Sequence, residues 1–456
     1  MKSSSKNKTT NNVAVLGGGI SGLVSAYRLL QKGNRVTLFE ATDELGGFGG
    51  TFQHKGRTME QFYHVMINTD EHLLGLLKEL DLDDEVTWTE TRMGFLYGKT
   101  LYPFNTPLDL LRFGGLSLIG RIRTALGGAY IAKILNDPKG LDQISVSEWL
   151  ENIFGAEVFA QLWRPLLRAK FGDMFENVPA YWFWTRLRRE KVSAKEVKGY
   201  VNGGYRRIAD RLRAEIQKMG GVIRIRTPVY AIQEAPQSIH INAEGRWESF
   251  DSVVSTLPLP LLRQIACGRL NELAPHQKVP YQSVVNAVVI LKQRLQNNYW
   301  NAIVQKGFPF QGLVETTHVV PMTQTGGRHL VYLLNYCTQD SETYRSVDGD
   351  VKFQALKALK AFNPKFNPDW VEDIRVFRAP YVEPVWPLGY MRDKPRMRCG
   401  DSRLYLATTA QCYPQENSWN TMAGIATDVS ARMQFDMDNA AETRPAAAEL
   451  VPALVT

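Results

Sequence analysis

The chain has 456 residues, of which 44% are hydrophobic and 22% charged. A globular chain of this length buries a large core without disulfides or metals, so a collagen-like, disulfide-scaffold or mainly disordered protein is excluded. Lys and Arg number 54 against 46 Asp and Glu, which gives a net charge of +8. These charges are spread along the chain. They favour a solvated basic surface, leave attraction to a membrane face or an anionic substrate open, and indicate no nucleic-acid partner.

Both ends of the sequence predict disordered tails, at residues 1–12 and 434–456. The first tail lacks the apolar core of a secretory signal, and no run of 18 uncharged apolar residues is present to span a membrane. We therefore expect a cytoplasmic protein and leave peripheral contact with the inner membrane open. Four cysteines, without metal or redox spacing, are expected to be free thiols: Cys267, Cys337, Cys399 and Cys412.

Apolar patterning predicts one α/β unit formed by three separated segments, 13–60, 198–275 and 395–433. Short apolar runs alternate with stretches of helical period in each segment. In chain order the expected elements are strand Val13–Leu16, a helix ending near Gly33, strand Val36–Phe39, helix Tyr205–Met219, strand Gly221–Val229, strand Ser252–Thr256, strand Leu404–Ala407 and a closing helix.

Two insertions separate these segments and predict a second, mixed α+β domain for the substrate. Residues 61–197 are mostly helical by pattern. Residues 276–394 contain two runs rich in β-branched and aromatic residues, Ser283–Lys292 and His329–Cys337, which predict strands.

A glycine turn joins the first strand to the first helix. Gly17, Gly19 and Gly22 have the spacing G-x-G-x-x-G, which permits a tight turn, a close backbone approach to a pyrophosphate and close packing of helix on strand. The helix N-terminus offers N–H groups and a positive dipole to phosphates. Glu40 ends the next strand and can bind ribose hydroxyls, which argues against a 2′-phosphate.

A second glycine-rich segment, ATDELGGFGGTF, follows Glu40. It resembles the second glycine motif of the flavin amine oxidase and protoporphyrinogen oxidase superfamily, in which a Gly-Gly pair lies near the FAD phosphates. Here Gly46 and Gly47 form the pair. Phe48 stands where the superfamily usually carries Arg, so a cation is missing from the phosphate region.

Later stretches are similar to the same superfamily. Residues 202–205 open a helix as in its second FAD segment, 221–232 is similar to the strand that contacts the adenine, and 251–258 resembles a strand ending in T-x-P. A closer resemblance, over about residues 12–433, is to bacterial protoporphyrinogen-oxidase-like FAD oxidoreductases of mostly unassigned substrate. It rests on MEQFYHVMINTDEHLLGLLKELDL, WRPLLRAKFGD, YWFWTRLRRE and FRAPYVEPVWPLGY.

The resemblance implies FAD as cofactor and no metal. It also implies an α/β fold class, with a split Rossmann-type FAD-binding domain of the glutathione-reductase type and a mixed α+β substrate domain. The residues expected to bind FAD are Gly17, Gly19, Ile20, Ser21, Gly22, Glu40, Ala41, Gly46, Gly47, Phe48, Val229, Thr256, Trp419, Asn420 and Thr421.

The turn before the last helix departs most from the superfamily, whose relatives tend to have an acidic-Arg-Gly turn after Tyr-Pro. Here residues 412–419 read CYPQENSW. We expect the helix to begin near Asn420 and Thr421, with Asn420 or Ser418 as its cap. Its N–H groups and dipole could then stabilise negative charge at the flavin N1/O2 locus.

Candidate catalytic residues are side chains of the substrate domain that could face the flavin ring. His64 and Tyr63 are each interpreted as a base, a substrate contact or a structural residue, and Glu60 as a flavin contact or a solvated acid. Lys292 is similar to a lysine that holds water near N5 in some amine oxidases, or is a surface strand end. Three aromatic residues could wall a flat substrate or pack in the core: Tyr381, Trp386 and Tyr390.

Two other polar groups have open interpretations. Glu315 and His318 could be an acid–base pair or polar loop residues. Arginines and a lysine interleaved with aromatic residues could form an anion site or a solvated helix face. These residues are Arg164, Arg168, Lys170, Arg186, Arg188 and Arg189.

Residues 108–135 are apolar with basic residues and predict either a membrane-surface helix, as in related protoporphyrinogen oxidases, or domain core.

The resemblance implies an FAD-dependent oxidoreductase that oxidises or desaturates a small, anionic or apolar organic substrate. Hydride is expected to pass to flavin N5, with reoxidation by oxygen or a quinone-type acceptor. The alternatives are a redox-neutral isomerase resembling UDP-galactopyranose mutase, a carotenoid-desaturase-like enzyme and a non-catalytic FAD-binding module. The sequence predicts neither the substrate nor the oligomeric state.

Overall fold

A computed structural model describes residues 10–442, apart from 99, 134–137, 139, 191–195, 274–278 and 304–307. Most of the expected amino-terminal tail, the end of the expected carboxy-terminal tail and residues 134–135 of the apolar segment lie outside the described residues.

The strands, in chain order, are β1 Asn12–Leu16, β2 Arg35–Phe39, β3 Thr51–His54, β4 Arg57–Glu60, β5 Val86–Glu90, β6 Met93–Tyr97, β7 Thr100–Pro103, β8 Val197–Val201, β9 Val222–Arg224, β10 Val229–Glu234, β11 Ile239–Ala243, β12 Arg246–Phe250, β13 Ser252–Ser255, β14 Ala266–Cys267, β15 Tyr281–Leu291, β16 Trp300–Ile303, β17 Gly312–Glu315, β18 His329–Cys337, β19 Val371–Pro384 and β20 Leu404–Leu406.

The helices are α1 Ile20–Gln31, α2 Glu71–Glu79, α3 Pro107–Arg112, α4 Leu118–Lys133, α5 Val146–Phe154, α6 Ala156–Val158, α7 Arg164–Phe171, α8 Ala180–Glu190, α9 Tyr205–Lys218, α10 Leu259–Ile265, α11 Arg269–Leu273, α12 Glu342–Arg345, α13 Asp348–Phe362, α14 Tyr390–Asp393 and α15 Trp419–Glu442. A π-helical turn, Phe159–Trp163, joins α6 to α7.

A parallel sheet with the strand order β20-β13-β1-β2-β9 lies between two different layers. Val13 and Val15 of β1 pack in one core with α1, α9 and α15. Ala14 and Leu16 pack in another with strands β10 and β11. Successive side chains of a strand point to opposite faces, so Val13–Leu16 of β1 are all apolar, as the sequence predicts for a strand buried on both sides.

The second large sheet has the order β19-β15-β18-β17-β16-β6-β7. The two predicted runs form its centre, since β15 and β18 pair antiparallel from Ser283 opposite Cys337 to Leu291 opposite His329. Strand β19 contains Pro380 and pairs only with β15, with a register shift between Gln282 and Val284. Edge strands and bulges are where a sheet tolerates proline.

The described part of 61–197 is mostly helical, as expected, but it also contains β5, β6 and β7, of which β6 and β7 extend the second large sheet. Two expectations about elements were wrong. The expected strand Gly221–Val229 is two strands in different sheets, because the chain turns at Arg226, which has a φ of 52°. The last helix continues through residues 434–442 of the expected tail, and Val429 and Met433 anchor it in the core.

Helix α4, within the apolar segment, carries two arginines, Arg121 and Arg123. Among the described residues, every helix is too short or too polar to cross a bilayer.

Candidate functional site

The glycine turn after β1 is closed by a contact that only glycine allows. A Cβ atom on Gly22 would lie 1.8 Å from the carbonyl oxygen of Gly17, so the first turn of α1 packs directly on the loop. Gly17 itself has a φ of 100°. No side chain caps α1 at Gly19. The N-terminus of α1 therefore presents its N–H groups and its dipole to an anion such as a pyrophosphate.

The second glycine segment lies against the first. The Gly46 N–H donates to the Gly18 carbonyl at 2.8 Å, and a Cβ on Gly47 would lie 3.2 Å from Gly19 Cα. Phe48, in place of the superfamily's arginine, packs edge-on to Phe62 at 5.7 Å between ring centroids. We call Gly17–Gly22 with Gly46–Gly47 the glycine cradle. It fits the phosphates of a dinucleotide, because side chains at its contact points would fill it.

Glu40 lies at the end of β2 beside the glycine cradle. One carboxylate oxygen accepts the Gly18 N–H at 2.6 Å, and the other accepts the Thr42 N–H at 2.8 Å. Each carboxylate oxygen can accept more than one hydrogen bond, so Glu40 retains capacity for ribose hydroxyls. Ala41 is exposed next to it.

Thr256 supports the turn from behind, since its hydroxyl donates to the Leu16 carbonyl at 2.7 Å. Val229 is half-buried at the start of β10, opposite Ala243.

Three aromatic rings lie next to the second glycine segment: His64, Tyr205 and Trp419. We call them the ring cluster. The ring centroids of His64 and Tyr205 are 4.7 Å apart, and those of Tyr205 and Trp419 are 4.8 Å apart. A Cβ on Gly49 would lie 2.8 Å from the Trp419 ring. The ring cluster therefore begins directly at the second glycine segment.

Trp419 is the first residue of α15, so this helix begins one residue earlier than expected. Ser418 is its cap, as one of the two alternatives predicted, because its hydroxyl accepts the Thr421 N–H at 3.2 Å. The Asn420 side chain instead accepts the Leu73 N–H at 3.0 Å and ties α15 to α2.

Glu60 is 5% exposed and joins three elements, which corrects its interpretation as a solvated acid. Its carboxylate accepts the Tyr205 N–H at 3.0 Å and the Tyr200 hydroxyl at 3.1 Å, and its backbone carbonyl accepts the Tyr332 hydroxyl at 2.7 Å. Burial raises the pKa of Glu60 to about 7, against the lowering effect of the first two bonds.

His64 Nδ1 lies 3.8 Å from the Glu60 carboxylate. This nitrogen atom is buried and has no hydrogen-bond partner among the described residues. Burial lowers the pKa of His64 to about 4, so its ring is neutral at physiological pH. The same buried environment therefore raises the pKa of Glu60 and lowers the pKa of His64.

Tyr63 faces a second group of side chains at the end of the second large sheet. Its ring packs against that of Tyr332 on β18, with 6.3 Å between the centroids, and its phenol interacts electrostatically with that of Tyr336 on the same strand. Burial raises the pKa of both phenols well above the ordinary value, so both remain protonated donors. Lys170 of α7 lies over the Tyr336 ring, 4.8 Å from its centroid, and is ion-paired with Glu383 of β19.

The predicted basic residues divide between ion pairs and aromatic contacts. Arg186 is ion-paired with Glu416 at 2.8 Å. Arg164 lies over Phe159 and Arg188 over Trp184, each 5.0 Å from the ring centroid. The side chain of Arg189 lies outside the described residues.

The other predicted catalytic residues make contacts of their own. Lys292 is exposed at the opposite end of β15 and donates to the Asp369 carbonyl at 3.0 Å. Trp386 and Tyr390 are fully buried, which corrects their interpretation as substrate walls in favour of core packing. The Tyr390 hydroxyl donates to the Ala410 carbonyl at 2.9 Å. Tyr381 is half-buried in the irregular part of β19 and packs edge-on to Tyr281.

Glu315 is a structural carboxylate. It is fully buried on β17 and accepts the N–H groups of Leu295 and Gln296 at 3.2 and 3.1 Å. His318 Nε2 lies 3.7 Å from the Glu315 carboxylate, so the two predicted residues are neighbours. The carboxylate, however, binds the backbone of the loop at Leu295 and Gln296. Across the described part of the chain, no group of three or more potential ligands could hold a metal ion.

Sequence reasoning missed the pairing of Lys170 with Glu383, as well as Tyr336 and Gln282. One signal was available: Gln282 and Asn286 are amides inside the mainly apolar strand β15, and both are buried. The Asn286 amide donates to the Gln61 carbonyl at 2.5 Å, which ties this strand to the segment that carries Tyr63.

The family profile described as "Flavin containing amine oxidoreductase" matches residues 20–415. Coproporphyrinogen III oxidase of Mycobacterium tuberculosis is 25% identical over 309 residues, which are 61% of this chain and 65% of that protein. Zeta-carotene desaturase of Zea mays is 30% identical over 176 residues, 34% of this chain and 31% of that protein. The chain thus spans about one third to two thirds of the length of these curated relatives.

Two solved structures share the fold. Cyclohexylamine oxidase of Brevibacterium oxydans has a TM-score of 0.68 at 15% identity, covering 94% of this chain and 100% of that one. Reduced UDP-galactopyranose mutase has a TM-score of 0.72 at 16% identity, covering 93% and 96%. With the profile match over most of its length, this chain belongs to the flavin containing amine oxidoreductase family, whose cofactor is FAD.

Proposed function

We propose that this protein is an FAD-dependent oxidoreductase that oxidises or desaturates a small organic substrate held beside Tyr63. One observation carries the proposal: the ring cluster contacts the second glycine segment, and Tyr63, which precedes His64 in the chain, packs against Tyr332 of the second large sheet. We assign the parallel sheet and its two covering layers to a glutathione-reductase-type FAD domain, and the second large sheet with α2–α8 to a substrate domain.

In this proposal the N-terminus of α1 binds the pyrophosphate and Glu40 binds the ribose. Val229 and Thr256 border the adenosine end. The capped N-terminus of α15, with Trp419 and Thr421, borders the ring, so that its dipole favours negative charge there. FAD, when bound, supplies a hydride acceptor at N5.

The chain's own residues then orient the substrate and exclude water. His64 and Trp419 close the apolar side of the site, and neutral His64 brings no charge to it. The phenols of Tyr63 and Tyr336 are protonated, so they donate hydrogen bonds to a substrate oxygen or nitrogen rather than remove a proton at neutral pH.

The test is the absorption spectrum of the purified protein, followed without oxygen as an amine, a porphyrinogen, an alcohol or a lipid is added. We expect the bands of a bound oxidised flavin and their bleaching by one of these classes. Bleaching by dithionite alone, followed by conversion of a sugar nucleotide, would favour the mutase alternative. Reduction by none of the substrate classes would favour a non-catalytic module. A protein that neither contains nor takes up flavin overturns the proposal.

We further propose that α3 and α4 rest on the cytoplasmic face of an anionic membrane. Leu118 and Ile119 are 69% and 71% exposed, and Leu126 is 65% exposed on the same helix. Apolar side chains flanked by arginines suit an anionic lipid surface. Sedimentation with phosphatidylglycerol vesicles should be lost when Leu118 and Ile119 are both changed to Ser, and equal binding of the variant contradicts this proposal.

A further inference from the structure

Two ion pairs border Tyr63 and Tyr336, and we call the four residues the paired-charge cluster: Lys170, Glu383, Arg186 and Glu416. Lys170 and Glu383 come from the last turn of α7 and the end of β19. Arg186 and Glu416 come from α8 and the turn before α15, with 2.8 Å between them. Since Asn417 also donates to the Val382 carbonyl at 2.7 Å, the two pairs lie in one connected structure.

These four residues are the charges that act on the two phenols. Lys170, Arg186 and Glu416 act on Tyr63, and Glu383, Arg186 and Glu416 act on Tyr336. Two cations and two anions compensate each other within the cluster. A charged ligand would lose its hydration and find no uncompensated opposite charge in the cluster, so its binding is disfavoured. An uncharged ligand escapes that cost.

Hydrogen-bonding groups remain available at the same place. Tyr63, Tyr336 and Lys170 each keep partial exposure, so a ligand can reach them. Gln282 is 2% exposed, and its amide nitrogen donates to the Lys170 carbonyl. Its side-chain oxygen is buried with no partner among the described residues. A buried acceptor without a donor is costly, and a ligand hydroxyl would satisfy it.

We propose that the substrate beside Tyr63 is an uncharged molecule with hydroxyl or carbonyl groups, and that Lys170 and Glu383 are specificity-determining residues that disfavour ammonium and carboxylate ligands. The inference rests on the proposed function, because it takes Tyr63 to face the flavin. It separates this chain from an amine oxidase, whose substrates are cations.

Removing one partner of the ion pair should redirect the preference rather than merely weaken binding. Lys170→Met leaves the Glu383 carboxylate uncompensated, which attracts a cation. Glu383→Gln leaves the Lys170 ammonium uncompensated, which attracts an anion. Opposite charges a few ångströms apart near a protein surface attract each other strongly, so we expect affinity changes of at least about tenfold.

The experiment uses the full-length, FAD-loaded protein and three probes that share one ring: cyclohexanol, cyclohexylamine and cyclohexanecarboxylate. Dissociation constants at neutral pH come from the change that each probe causes in the flavin absorption spectrum. In the wild type, cyclohexanol should bind most tightly, by about tenfold or more. Lys170→Met should gain affinity for cyclohexylamine, Glu383→Gln for cyclohexanecarboxylate, and the double variant should again prefer cyclohexanol.

The matched control is the surface ion pair of Arg28 with Glu79, which joins α1 to α2. Arg28→Met and Glu79→Gln should leave all three affinities unchanged. If Lys170→Met does not fold, Glu383→Gln and the double variant carry the test. A wild type that binds a charged probe as tightly as cyclohexanol, or binds none of the three, overturns the inference while the flavin spectrum still supports the proposed function. An absent flavin spectrum instead counts against the proposed function itself.

Discussion

The glycine cradle and the paired-charge cluster are built in opposite ways. The cradle is made of backbone: Gly18, Gly19, Gly46 and Gly47 touch one another because they have no side chains. The paired-charge cluster is made of side-chain ends from α7, α8, β19 and the turn before α15. The glycine cradle therefore depends on the absence of side chains within about 30 residues of sequence. The paired-charge cluster depends on the identity of side chains that are far apart in the sequence. This difference suits a fixed cofactor and a variable substrate.

The largest expected effect is on the glycine cradle. Gly22→Ala puts a Cβ atom 1.8 Å from the Gly17 carbonyl oxygen, and backbone cannot move aside as a flexible side chain would. We expect a loss of more than about 3 kcal/mol of stability and of bound FAD. Flavin content and thermal unfolding of the purified variant measure both.

The matched control for Gly22→Ala is Gly75→Ala in α2, where a Cβ would meet nothing within 4 Å. Alanine has the higher helix propensity, so this change should be neutral or stabilise by about 0.5–1 kcal/mol. A Gly22→Ala protein with full flavin content would show that the cradle does not depend on this contact.

The second prediction concerns Glu60 and His64, which join the two regions. The pKa of Glu60 is raised from 4.5 to about 7, so the folded state holds more protons in that window, and this group reduces stability as pH rises. The pKa of His64 is lowered from 6.5 to about 4, so the unfolded state holds more protons, and stability increases as pH rises. The two effects oppose each other between about pH 4.5 and 6.5.

Single variants should separate these opposing slopes. Relative to the wild type, Glu60→Gln should gain stability from about pH 4.5 to 7, by up to about 3 kcal/mol. His64→Asn should lose relative stability from about pH 4 to 6.5 by a similar amount, because the wild type gains there. Melting temperature measured against pH tests both. Parallel curves for the wild type and both variants would mean that neither group titrates abnormally.

A third, smaller effect concerns a network that ties the hairpin β3–β4 to β19 of the second large sheet. Glu372 of β19 contacts His54 at 2.8 Å, Lys55 at 3.0 Å and Arg328 at 2.7 Å. These contacts, with that of His54 first, lower the pKa of Glu372 to about 2. Its contribution to stability is therefore complete above about pH 4.5 and is lost as pH falls toward 2.

Glu372→Ala should cost about 2 kcal/mol at neutral pH, less than a fully buried pair, because Lys55 and Arg328 can be rehydrated. Urea unfolding at neutral pH and at about pH 3 measures the difference, which should shrink at the lower pH. Asp348→Ala is a suitable control, since Asp348 is exposed and pairs with Arg378 at the surface. An equal cost for both variants would remove the special role of the network.

The same contrast explains what the sequence could predict. Gly17, Gly19, Gly22 and Glu40 were found because their spacing encodes a local turn whose geometry is the same in any chain. Strands β15 and β18 were found because their apolar runs are long and rich in β-branched residues. Both signals lie within a few residues of sequence.

The paired-charge cluster was not predicted, because its residues become neighbours only through tertiary packing. Lys170 appeared as one of several basic residues on a helix, and nothing in its local sequence indicates Glu383 as its partner 213 residues later. Trp386 and Tyr390 were selected as aromatic residues in an unusual segment, but whether a ring walls a pocket or fills the core is decided by the elements packed around it.

The smallest expected effect sharpens the contrast between two lysines. Lys292 lies at the opposite end of β15 from Gln282, about 30 Å along the strand, and is exposed. Lys292→Met removes only a hydrogen bond to the Asp369 carbonyl, so stability should change by less than about 0.5 kcal/mol and flavin content and probe affinities should stay unchanged. Lys170→Met is the comparison, since it differs only in where the lysine lies. A substrate turnover reduced by Lys292→Met with flavin fully retained would place that lysine at the reaction and would mean that the surface end of β15, rather than the paired-charge cluster, meets the substrate.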